Sequence, residues 1–546
     1  MNSSFTMLDY AIFVIYAIAL VSIGFFVSRG KKGEEKSAED YFLASKSLPW
    51  WAIGASLIAA NISAEQFIGT SGSAFAGGIA IASYEFMSAL TLIIVGKYFL
   101  PIFIKQGIYT IPEFVEKRFS SNLKTILAVF WICLFIFVNL TTVLFLGGKA
   151  LDTILGVGDG SMVVPSMICL ALVAAAYSLY GGLSAVAWTD VMQVALLVIG
   201  GLITTFIALY YVTPNHSIVE GVGYIFDSAR DHFDIILSKD HKEYMNLPGI
   251  SVLIGGLWVA NLYYWGFNQY IIQRTLAAKS LEESQRGIIF AAFLKILIPF
   301  IVVIPGIIAF VMYQDASVEG VRAVFEGANG AMNNDSAYPW LIRTFVPTGL
   351  KGLVVAALAA AIVSSLASML NSTSTIFTMD IYKPYMNPNA SQKSLVNVGR
   401  LTAAVALVIA CIIAPMLGNI GQVFQYIQEY TGLVSPGILG VFLMGLFYKK
   451  ANNKGAIWGV LLSIPVALAF KMIPGLNIPF MNQMLYTCLI TIFVIILVSK
   501  MTSQNGGADD PKAIPVSKDM FYTDKVFNVC AYVICILLAI IYAIFW

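Results

Sequence analysis

Hydrophobic residues in this chain do not alternate with polar ones. They continue for about twenty residues at a time, the length that carries a helix across about 30 Å of hydrocarbon at about 1.5 Å per residue. Such runs cover residues 8–28, 51–77, 79–104, 125–150, 161–179, 186–212, 249–273, 285–312, 350–378, 398–417, 420–447, 455–473, 483–500 and 526–545. The pattern predicts an all-α, multi-pass membrane protein with fourteen transmembrane helices. The first run has no basic segment before it and no small-residue cleavage site after it, so it is expected to be a retained span rather than a secretion signal. Composition closes off other classes: 59% hydrophobic and 11% charged residues, against about 45–50% and about 25% in soluble domains, exclude a soluble globular fold. A formal charge of +2 leaves no basic field for nucleic acid.

Of the 32 Lys and Arg residues, 22 fall in one alternate set of connections, among them Arg29, Lys31, Lys32, Lys36 and Arg274; eight fall in the other set, and Lys97 and Lys295 lie inside predicted spans. The rich set is expected on the cytoplasmic side, which puts both termini outside. No separate soluble domain is apparent. The chain divides into a first span with an inner basic loop (1–50), a first repeat (51–212), an outer loop (213–248), a second repeat (249–447, containing an outer loop at 313–349) and three C-terminal spans (448–546). His216, His232 and His241 share the 213–248 loop at no metal-ligand spacing and are expected in solvent. The six cysteines, scattered through apolar runs, read as small core residues.

A charge at mid-bilayer costs about 2.5–3.5 kcal/mol on insertion scales, so polar residues inside spans are candidates for function. The second run is interrupted at Asn61-Ile62-Ser63-Ala64-Glu65-Gln66, and the seventh between Asn261 and Gln269. Non-helical backbone survives at that depth only where it is buried or lines a cavity. Paired interruptions in corresponding positions point to an inverted-repeat transporter with its site between the repeats. In the ninth run Ser364, Ser368 and Ser372 recur every four residues with Ser365 beside them. That stripe of hard oxygen atoms suits an alkali cation and is equally a pattern of small-residue helix packing. Glu85 and Lys295, flanked by apolar residues on different helices, would relieve one another as a pair, direct or bridged by a ligand. Together with Gln66, Asn261 and Gln428 they offer the mixture of donors and acceptors that a polyol needs. An anionic substrate would require surplus positive charge, so a neutral solute fits better. Tyr84, Tyr264, Trp265 and Phe424 supply ring faces for sugar C–H groups or for ordinary bundle core, with Tyr264, beside Asn261, favoured for the substrate.

Tyr180-Gly181-Gly182-Leu183-Ser184 and the segment from Ala359 to Ser372 resemble the two signatures of the sodium/solute symporters. Asn61 to Gly69 and Trp258 to Arg274 narrow the resemblance to the bacterial sodium/galactose (glucose) cotransporters, nearly end to end. The resemblance implies a five-plus-five inverted repeat of the LeuT type, with one helix before it and three after, in the inner (cell) membrane. It implies a sugar site of Gln66, Glu85, Ser88, Asn261, Lys295 and Gln428 with Asn61 and Tyr84 nearby, and Tyr264 as inner gate. Sodium would take carbonyl oxygens of Ala59, Ile62 and Ala361 and hydroxyls of Ser364 and Ser365. Asp190 would lie on the ion's exit path and Asn139 in an inner polar network. Relatives with a second sodium have serines at the positions matching Ala367 and Ser368. Ala367 has no side-chain oxygen to give, so one Na⁺ per sugar is expected.

The expected function is therefore Na⁺-coupled symport of galactose or glucose by alternating access. The expected fold also resembles that of carriers of inositol, proline, pantothenate, sialic acid and iodide. A membrane enzyme using Lys295 as a desolvated base lacks any accompanying phosphate loop, nucleophile elbow or metal motif, and a solute sensor would need a signalling domain that the short polar segments do not supply.

Overall fold

A computed structural model describes residues 5–28, 37–155, 160–315, 321–326, 332–419, 423–473, 475–503 and 508–546. Arg29, Lys31, Lys32 and Lys36 lie outside the described residues. Everything described is helix or connection, apart from two isolated β-bridges. Eleven helices among the described residues are long and apolar enough to cross a membrane. The expected runs that fall short are the second, fifth and seventh, for structural reasons. The fifth, within the helix Val163–Gly181, has an apolar stretch of only Val163–Ala176. The other two are broken.

The helix Trp50–Asn61 stops where Ile62 turns extended (φ −81°, ψ 102°), and the chain resumes as a wide π-helical turn, Glu65–Thr70. The seventh run is three pieces, Ser251–Ile254, Gly256–Phe267 and Gln269–Leu276, separated at Gly255 and at Asn268, which is extended (φ −83°, ψ 122°). Its central break therefore lies at the far end of the expected interruption. Asn261 sits inside the helix because its Nδ2 donates one turn back to the Leu257 carbonyl at 3.1 Å, which satisfies the amide without breaking the backbone ladder.

The helix Leu350–Ile376 is almost wholly buried and packs against Met7–Ser28, Val163–Gly181, Leu183–Tyr211 and Gln392–Ile413. At one end of the bundle Asp9 Oδ1 accepts from Gly349 N and Gly352 N, both at 2.8 Å. There too Tyr211 stacks on Phe345, and Ile235 N in the 213–248 loop donates to Phe545 O at 2.8 Å. At the opposite end of the helix Lys525–Ile544, Asp524 pairs with Arg286 at 2.7 Å.

Two minor expectations are corrected. His232 is not in solvent: it is buried, stacked on Phe310 with ring centroids 3.8 Å apart, and its Nε2 lies 3.3 Å from the Phe75 carbonyl. Nor are the cysteines generally core. Only Cys488 is buried, while Cys133, Cys169 and Cys535 are exposed on the flanks of long apolar helices, where a weakly polar thiol is acceptable to lipid.

Candidate functional site

The break at Ile62 frees polar backbone. Continuing the helix would have Ser63 N donate to Ala59 O and Gln66 N to Ile62 O. Instead Ser63 N donates to Gln66 Oε1 at 3.0 Å, and Gln66 N to Ser63 O at 3.2 Å. The carbonyls of Ala59 and Ile62 are thus released from the ladder, as helix ends release them generally. Facing them is the serine helix Leu350–Ile376, whose Ser365 Oγ donates to Ala60 O at 3.1 Å. Ala361 is buried one turn before it. Ser364 Oγ donates to Asp190 Oδ1 at 2.5 Å. The two stretches that were expected to hold an alkali ion therefore meet inside the bundle. Their hard, mostly neutral oxygens beside one carboxylate suit a small monovalent cation.

Asp190, fully buried on the helix Leu183–Tyr211, is the hub of a network that the sequence reading did not assemble. Its Oδ2 accepts from Ser56 Oγ and, at 3.2 Å, from Arg274 Nη2. Arg274 also donates to Ser56 Oγ at 2.6 Å and to Ser368 Oγ and Tyr270 O. The sequence places Arg274 among the loop charges, since it directly follows the predicted span 249–273. In the structure it is fully buried in Gln269–Leu276. The signal available was its place just after an interrupted helix, five residues past Gln269.

The second group sits beside the same helix break. Lys295, on Leu281–Gln314, donates to Glu85 Oε2 and to Asn61 Oδ1, so the two intramembrane charges do pair. Asn61 Nδ2 donates to Tyr264 Oη at 3.0 Å, and Tyr270 Oη donates to Tyr264 Oη at 2.8 Å. On the other wall Ser88 Oγ donates to Asn261 Oδ1 at 2.6 Å. The Lys295 ammonium lies 5.1 Å from the centre of the Trp265 ring, and Tyr84 meets Phe424 edge-to-face. Asn61, Gln66, Tyr84, Glu85, Ser88, Asn261, Tyr264, Lys295 and Gln428 all line one cavity of about 70 Å³, room for a few waters. Glu65, Tyr263 and Thr431 line it too and were missed. Glu65 stood in the quoted motif, and its buried Oε1 has no hydrogen-bond partner among the described residues. Asn139, expected in an inner polar network rather than in the cavity, lies in the wide turn Phe135–Leu140, which packs against the serine helix.

Across residues 41–463 the chain matches the sodium:solute symporter family. It belongs to that family. A Vibrio parahaemolyticus sodium/glucose cotransporter is 63% identical over 99% of this chain and 98% of its own length. A Bos taurus sodium/myo-inositol cotransporter 2 is 34% identical over 84% of this chain and 69% of its own. Among solved structures, a substrate-bound, outward-open Na⁺-coupled sialic acid symporter superposes with a TM-score of 0.78 at 25% identity, over 92% of this chain and 99% of the other. As a sodium:solute symporter the chain is a multi-pass membrane transporter, with both polar groups meeting at the broken end of Trp50–Asn61.

Proposed function

We propose that this protein moves glucose or galactose across the inner (cell) membrane together with Na⁺, by alternating access. The observation that carries the reading is that the broken end of Trp50–Asn61 touches both groups. The Ala60 carbonyl takes the Ser365 hydroxyl, while Asn61, the next residue, bridges Lys295 and Tyr264. Sodium is assigned to the carbonyls of Ala59, Ile62 and Ala361 and the hydroxyls of Ser364 and Ser365, and Asp190 to its exit. The sugar is assigned to Gln66, Glu85, Ser88, Asn261, Lys295 and Gln428, with Asn61 and Tyr84 beside it and Tyr264 closing the inner side. Asn139 is assigned to an inner polar network.

A neutral polyol suits a cavity whose fixed charges cancel and whose amides and hydroxyls both donate and accept. The contracted cavity requires its walls to part before a hexose enters, and that parting is the opening step of alternating access. Extended residues at Ile62 and Asn268, in corresponding runs, support a five-plus-five repeat within fourteen spans. The shared end of Asp9, Gly349, Ile235 and Phe545 supports both termini lying on the side of the long loops, with the Lys- and Arg-rich connections inside. One Na⁺ per sugar is favoured because Ala367 lacks a side-chain oxygen, its carbonyl accepts from Ser178 Oγ at 3.3 Å, and Ser368 already accepts from Arg274.

The test is uptake into proteoliposomes under an inward sodium gradient. Labelled glucose or galactose accumulates with Na⁺ and not with K⁺ or choline, and Ser365→Ala abolishes the accumulation. Equal uptake in choline, or unchanged uptake by Ser365→Ala, removes the ion assignment. A panel of competing monosaccharides and inositol ranks the substrate.

A further inference from the structure

The helix Val423–Phe447 is a partition. Phe424, Gln428 and Thr431 on one of its faces line the central cavity, whereas Glu429, Gly432 and Leu433 on the next face line a second cavity of about 270 Å³. Residues at 480, 483, 484 and 487 form one stripe of the helix Phe480–Met501 and close the far wall, as their i, i+3, i+4, i+7 spacing dictates. Met484 borders both cavities. It rests on Gly432, where an added Cβ would come 3.0 Å from its sulfur, so beside the helix a flexible side chain stands between the two cavities.

The second cavity carries the same classes of group as the first, with an ion pair that is exposed at its rim where that of the first is buried. Its ion pair, Lys471 Nζ to Glu429 Oε2 at 2.9 Å, leaves no net charge. The amides of Asn246 and Gln483 line it beside the rings of Phe470 and Phe480. Thr487 is fully buried there, and its Oγ1 has no hydrogen-bond partner among the described residues. A buried hydroxyl left without a partner is destabilising, and a ligand hydroxyl would relieve it. Met245 and Asn246 place the cavity on the side of the 213–248 loop.

We propose that this cavity is a second binding site for a neutral hexose, a staging site on the loop side, with Met484 as the door to the central pocket. The inference rests on the symport reading above. It is tested on the purified full-length protein by equilibrium binding of labelled glucose in Na⁺. The wild type binds with two components. Lys295→Ala, which disables the central pocket, keeps the weaker one, at least several-fold lower in affinity. Lys295→Ala combined with Gln483→Leu, or with the isosteric Thr487→Val should the former fail to fold, loses it. In the otherwise wild-type protein Gln483→Leu raises the KM of uptake several-fold. A folded Lys295→Ala protein that binds no glucose while the wild type does, or a weaker component indifferent to both second substitutions, overturns the staging site alone. A wild type that binds no glucose at all overturns the symport reading and this inference with it.

Discussion

Glu85 and Lys295 are nearly inaccessible, 4% and 1% exposed, and each is tolerable in the bilayer only because of the other. Removing one partner of a buried pair costs about 3–5 kcal/mol, because the survivor stays desolvated and uncompensated. Glu85→Gln is therefore expected to lower thermal stability in detergent and to weaken glucose binding, while Glu85→Leu with Lys295→Met regains the stability and not the binding. A double variant as unstable as the single one would mean the pair is not a self-contained ionic unit. Arg274 and Asp190 are subject to the same argument: Arg274→Met destabilises, and adding Asp190→Asn relieves it, measured as a double-mutant cycle of unfolding free energies. The two pairs differ in how readable they were. Glu85 and Lys295 stand in the middle of apolar runs, where a charge has no bland explanation. Arg274 stands at the end of a run, where Lys and Arg ordinarily mark a loop, and only the fold shows that the chain doubles back to bury it against Ser56 and Ser368.

At the scale of elements, runs of about twenty apolar residues were enough to locate nearly every helix, since hydrocarbon thickness leaves few other ways to satisfy the backbone. Interruptions were less sharply legible. The break after Asn61 coincides with a cluster of polar residues whose side chains rebuild the lost turn, Gln66 accepting from Ser63. The break at Asn268 was hidden by Asn261, which helix geometry accommodates. Glycine in the Tyr180-Gly181-Gly182 signature has an element-scale cause as well. Gly182 joins Val163–Gly181 to Leu183–Tyr211 at φ +67°, ψ −155°, and a Cβ there would lie 2.3 Å from the Tyr41 carbonyl. Both the backbone region and the space admit only glycine, and strain of the backbone kind alone is about 1–3 kcal/mol. Gly182→Ala is expected to lower thermal stability by at least that much and to reduce insertion yield. A variant that melts like the wild type would show that this junction is free to shift.

The whole molecule ties its soluble face to its core, and pH exposes one such tie. Burial pushes the His232 imidazole down to about 4, against its contact with the Phe75 carbonyl and helped by Lys242 and His241. The unfolded chain, titrating near 6.5, then takes up the proton first as pH falls. Stability is full above about 6.5 and declines progressively toward about 4. His232→Phe, which keeps the stack on Phe310, should flatten that part of the melting profile between pH 7.5 and 4.5; an unchanged slope would assign it to other groups. Coupling between ion and sugar is the larger consequence. Because neighbouring residues at one helix end contact the two groups, the proposed ion site has a consequence: ordering the Ala59–Ile62 backbone around a cation would also fix Asn61 against Lys295 and Tyr264. Any such coupling is reciprocal: the factor by which saturating Na⁺ tightens glucose equals the factor by which glucose tightens Na⁺, with couplings of this kind typically about 1–3 kcal/mol, or about 5–150-fold. Measuring labelled sodium and labelled glucose by equilibrium dialysis gives both factors from one preparation. Asn61→Ala is expected to bring both toward unity together while each ligand still binds alone, glucose more weakly. If the factors stay large and equal in that variant, the ion and the sugar communicate by a route other than the end of Trp50–Asn61.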